Sequence, residues 1–143
     1  MIFRHYHLTE PDRRARFGAV ARLARRHGHT VILSGTARQA QAWGADGAYG
    51  APPQLARGPA PLRLLTVHSL REIGQANRMR AATVLLSPVF PTRSHPGGKV
   101  LGPARFRLLA ARSRVPVIAL GGMSAARAHR YGLRKWAAID AFA

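Results

Sequence analysis

The sequence predicts an α/β fold, a parallel sheet covered by helices. Two observations carry this. Apolar, strand-like runs alternate with helix-like segments along all 143 residues. The runs also lack the apolar–polar alternation of a strand with one wet face, so both faces are expected to be covered. The length suits a single domain, and 47% hydrophobic residues is enough for a core.

The elements follow in order. Residues 2–6 are apolar and aromatic and read as a strand. Thr9 can cap a helix, Pro11 suits its first turn, and Glu10 and Asp12 favour its N-terminus. Over residues 12–27, Phe17, Val20, Leu23 and Ala24 fall at helical spacing, with most of the arginines (Arg13, Arg14, Arg22, Arg25, Arg26) on other faces. Gly28 ends that helix. Residues 30–33 form a buried strand, 36–43 a short helix stopped by Gly44, and 46–49 a very short strand. Four prolines and Gly58 make residues 50–61 a loop. A strand follows at 62–67, and Ser69 with Glu72 opens a helix to about residue 80 as a capping box. Residues 83–86 are a strand and 87–98 a loop, and Gly102-Pro103 opens a helix to residue 112. Residues 115–120 are the strongest strand, Gly121-Gly122 a tight turn, and Ser124 caps a helix to about residue 131. A short strand at 136–139 brings the expected number to seven.

Composition removes several function classes. Without cysteine there is no disulfide framework, thiol nucleophile or zinc–cysteine site. The longest apolar runs fall far short of the ~20 residues of a membrane helix. The N-terminal residues show no secretory pattern, so a soluble cytoplasmic protein is expected. The acids number 5, against 23 basic residues, for a net charge of +18. Any carboxylate chemistry must draw on Glu10, Asp12, Asp46, Glu72 and Asp140. Such a basic bias can reflect genome composition as well as function, and it is also the electrostatic footprint of a polyanion binder.

Ligands of parallel α/β sheets sit at the carboxyl ends of the strands. Those positions include Arg4, Tyr6, Ser34, Thr66, His68, residues 87–95, Gly121, Gly122 and Asp140. Gly121-Gly122, after a buried strand and before Ser124, is the best anion site on this reading. His68 can line a pocket, though satisfying a local backbone group is the simpler role. His95 suits an acid, a base or a phosphate donor as well as a solvated loop position. Trp43 and Tyr49 read as packing residues, and Asp46 as a turn residue.

Three segments carry a family resemblance: Thr66-Val67-His68-Ser69, then Ser87-Pro88-Val89-Phe90-Pro91-Thr92 with Leu101-Gly102, then Val117-Ile118-Ala119-Leu120-Gly121-Gly122. In order and spacing they resemble the thiamine-phosphate synthase and thiazole tautomerase family. The resemblance implies a (β/α)8 TIM-barrel type that is incomplete here, with the first strand and last helix missing. It also implies thiamine biosynthesis, as a transferase of the synthase type. In such synthases a pyrimidine pyrophosphate ionises, the thiazole phosphate nitrogen captures the cation, and pyrophosphate leaves. The matching catalytic positions are Arg4, Thr92 and His95, and the phosphate-binding positions are Thr66, Ser94, Gly121 and Gly122. The departures matter equally. Where the family ends its third strand with asparagine and aspartate, this chain has Ser34-Gly35. The region of the second metal aspartate, residues 51–54, holds no acid. The family's lysines are Tyr6 and His95, a serine after its eighth strand is Asp140, and the tautomerase histidine is Pro88.

The expected ligand is therefore a phosphorylated small molecule, bound with no metal and no cofactor. Two other readings stand beside it. One is a basic module for RNA, which the scattered arginines and 7% aromatics do not favour. The other is a non-catalytic scaffold, whose open strand edges a second copy or another chain would cover.

Overall fold

A computed structural model describes residues 1–59, 62–92 and 97–139. The chain forms two compact units, residues 1–64 and 65–143.

The first unit opens with β1 (Ile2–Phe3), α1 (Glu10–Arg26), β2 (Ile32–Ser34), α2 (Ala37–Ala42), β3 (Gly47–Gly50) and α3 (Pro52–Leu55). Its strands run parallel in chain order, with Phe3 opposite Leu33 and Leu33 opposite Ala48. Val31, Leu33, Ala48 and Leu55 are fully buried, and each large side chain so covered contributes about 1.5–3 kcal/mol. α1 starts as expected: the Thr9 hydroxyl donates to the Asp12 carboxylate at 2.6 Å and caps its backbone N–H. Its buried face, however, is Arg13, Phe17, Ala21 and Ala24, while Leu23 is 53% exposed. The expected face included Leu23 and left out Arg13. The spacing of 13, 17, 21 and 24 is equally helical.

Two further expectations change here. β1 stops at Phe3, because His5 turns the chain with φ 37°. The proline-rich loop contains the one-turn helix α3, with Pro52 and Leu55 buried. Proline is tolerated in a first helical turn, where its missing N–H is not needed. Asp46 also does more than turn the chain: its carboxylate accepts the Val31 N–H at 2.7 Å and pairs with Arg25 at 3.0 Å.

β4 (Arg63–Val67) begins in the first unit and runs into the second. There follow α4 (Leu70–Arg78), β5 (Thr83–Leu86), α5 (Gly102–Ala110), β6 (Val117–Ala119) and α6 (Ala125–Arg130). In this unit too the strands lie in chain order, β5 and β6 parallel with Leu85 opposite Ile118. Ser69 caps α4 through the Glu72 N–H, and the Glu72 carboxylate reaches back to the His68 N–H at 2.5 Å. The expected strand at 136–139 is reduced to an isolated bridge. Ala119 donates to the Lys135 carbonyl and accepts from Ala137, which pairs it with Trp136 alone. Six strands, not seven, are therefore present among the described residues. Among the described residues, no helix is long and apolar enough to cross a membrane.

Candidate functional site

In the second unit the carboxyl ends of β4, β5 and β6 form a continuous rim. The Val67 carbonyl accepts from Ser87, and the Leu86 carbonyl from Leu120. Thr66 lies half-buried in β4. At the end of that strand, His68 Nδ1 stands 2.8 Å from the Ser87 carbonyl oxygen and 3.3 Å from Ser87 Oγ. The Nδ1 side of His68 thus satisfies a backbone group, one of its two expected roles. The partner, Ser87, is buried and follows β5.

The Gly121-Gly122 turn sits directly on residues 88–91. Both glycines have positive φ, 92° and 60°. A Cβ on Gly121 would stand 2.7 Å from Pro88 Cα, and one on Gly122 2.9 Å from Phe90 Cβ and closer still to the Pro91 carbonyl. Only glycine combines that backbone conformation with that proximity. The Gly121 carbonyl accepts from Phe90 N–H, and the Gly122 carbonyl from the Arg127 guanidinium. Outside helices and strands, no backbone bond among the described residues uses the N–H of either glycine. Both carbonyls of the turn are thus engaged by partners within the protein. Arg127 also lies over the Phe90 ring at 5.1 Å. It brings positive charge to the turn, and its contact with a residue five positions back was not foreseen from sequence.

Thr92 is half-buried at the end of the segment that packs on this turn. Ser94, His95 and Asp140 lie outside the described residues.

In the first unit, Arg4 is exposed after β1, with its guanidinium 5.5 Å from the Tyr6 ring. The neighbouring feature is one the sequence did not reveal. Arg13, 8% exposed, donates from Nε to the Arg4 carbonyl at 2.9 Å and from Nη2 to the Ser34 carbonyl at 2.6 Å. Its guanidinium lies 5.1 Å from the Tyr6 ring, 5.3 Å from Trp43 and 6.0 Å from Phe3. The Tyr6 hydroxyl is bonded to Ser34 Oγ. The end of β2 is thus filled by a cation and a hydroxyl pair.

Compared with known proteins, residues 1–142 match the family model described as thiamine monophosphate synthase. The chain belongs to the thiamine monophosphate synthase family. It is similar to the thiamine-phosphate synthase of Parasynechococcus marenigrum, 33% identical over an alignment of 125 residues that covers 82% of this chain and 36% of that protein. The chain thus spans about a third of the length of that curated relative. Among solved structures it resembles thiamine phosphate pyrophosphorylase from Pyrococcus furiosus, with a TM-score of 0.79 and 21% identity over 96% of this chain and 70% of that one. That likeness establishes the fold expected for the thiamine monophosphate synthase family: α/β of the TIM-barrel type, incomplete here.

Proposed function

We propose that this chain acts in thiamine biosynthesis as a synthase-like protein. It binds thiazole phosphate and thiamine phosphate, and its catalysis is impaired or divergent. The observation that carries this reading is the Gly121-Gly122 turn. Its N–H groups would take the ligand phosphate, with Arg127 supplying charge beside them. Thr66 and Thr92 supply hydroxyl donors for a second phosphate group, as family membership suggests. Ser94 and His95 belong to the same proposal by resemblance, and Arg4 is the proposed pyrophosphate arginine of the first unit.

The family resemblance implies a magnesium ion, and the residues at the end of β2 do not fit one. Magnesium takes oxygen ligands, chiefly carboxylates. Here Ser34 offers a hydroxyl already bonded to Tyr6 and a carbonyl already held by the Arg13 guanidinium. A dication there would meet a fixed positive charge, buried where screening is weak. Among the described residues, no group of three or more histidine or acidic side chains could hold a metal elsewhere.

A coupled assay with pyrimidine pyrophosphate and thiazole phosphate tests the reading, run beside calorimetric titration of thiamine phosphate. Binding of thiamine phosphate with slow or no turnover is the expected result. Rapid magnesium-dependent product formation would refute the assignment at β2. Absence of binding would refute the phosphate cradle.

A further inference from the structure

His68 is anchored at two points. Its backbone N–H is held by the Glu72 carboxylate at 2.5 Å, and its ring by the Ser87 carbonyl at 2.8 Å. A carbonyl oxygen can only accept, so Nδ1 must carry the proton. Ser87 Oγ, 3.3 Å from the same nitrogen, then cannot hand its own proton to it. This excludes a serine nucleophile activated through Nδ1. In the neutral ring the lone pair is left on Nε2. No bond among the described residues engages Nε2, and the residue is exposed on the rim of the second unit. That rim also holds the phosphate cradle: Ser87 precedes Pro88, on which Gly121 packs.

We propose that His68 is a further ligand-binding residue of this site, accepting through Nε2 a hydrogen bond from an N–H donor on the organic part of a phosphate ester. The proposal rests on the phosphate-binding reading above. It adds a preference: a ligand with a donor-bearing ring should bind more tightly than one offering phosphate alone. Anchoring the ring in advance lowers the ordering cost of that contact. Thiamine phosphate carries such a donor, the amino group of its pyrimidine, whereas thiazole phosphate carries none.

The test is calorimetric titration of both ligands at pH 8 into the unaltered protein, His68→Asn and His68→Gln. An asparagine amide can replace Nδ1 and keep the Ser87 bond, but it offers nothing at the Nε2 position. Thiamine phosphate should bind the Asn variant about 5–10-fold more weakly, with thiazole phosphate unchanged, the loss expected for one net hydrogen bond. The Gln variant reaches the Nε2 position and should recover part of the loss. Equal weakening of both ligands would assign His68 a merely structural role and overturn the proposal, as would no weakening of either. If neither ligand binds the unaltered protein, the phosphate-binding reading itself falls. Nitrogen NMR of the ligand-free ring is independent of that outcome. It should show Nδ1 protonated and Nε2 bare, and the opposite tautomer would overturn the proposal whatever binds.

Discussion

A buried guanidinium is costly unless its donors are satisfied, and Arg13 meets that condition without a carboxylate. It uses two carbonyls and three aromatic rings. Arg13→Ala would leave the Arg4 and Ser34 carbonyls without these donors. Chemical denaturation should show a loss of about 2–4 kcal/mol, from two charge-assisted bonds and the ring contacts. Arg13→Lys keeps the charge but loses the planar fork, so it should recover only part of that loss. An unchanged midpoint in the alanine variant would contradict this account. Sequence periodicity could not reveal Arg13, since the helix pattern marks apolar residues and the arginine sits one turn before them. His68 and Ser87 were each visible at a strand end, but their contact joins residues 19 positions apart and needed the fold.

At the scale of elements, the apolar runs were legible because parallel strands tend to bury both faces, as β2 does throughout and β6 does only at Ala119. The run at 136–139 failed to become a strand because only Trp136 finds a partner. α3 was hidden by its prolines, which signal a loop and a first helical turn equally well. The helix starts were the most legible features, and Ser69 is one of them. Ser69→Ala should cost about 1 kcal/mol of stability, the usual value for losing such a cap. A change below measurement error in denaturant unfolding would show that the Glu72 bond to His68 suffices. The Gly121-Gly122 turn was also legible, but not the reason for its second glycine. Gly122→Ala must place a methyl against Phe90 and the Pro91 carbonyl at φ 60°. It should weaken thiamine phosphate binding at least tenfold in titration, and full affinity in that variant would place the phosphate elsewhere.

For the whole molecule, the net charge of +18 is little offset internally: among the described residues the ion pair is Arg25 with Asp46. Ligand binding should therefore weaken with added salt, because exposed charges act over only about 8–10 Å at physiological salt. Association insensitive to salt would argue that the arginines take no part. The family and its fold were legible from three motifs, since these are local strings around strand ends. What fills the end of β2 was not, because missing aspartates show an absence and not the arginine that stands there. The central claim is phosphate-ester binding without magnesium. Its most direct test is titration of thiamine phosphate into the protein with chelator and with excess magnesium. The account predicts binding in both, with dissociation constants agreeing within about twofold. Binding that appears only with magnesium, or strengthens tenfold with it, would contradict the account.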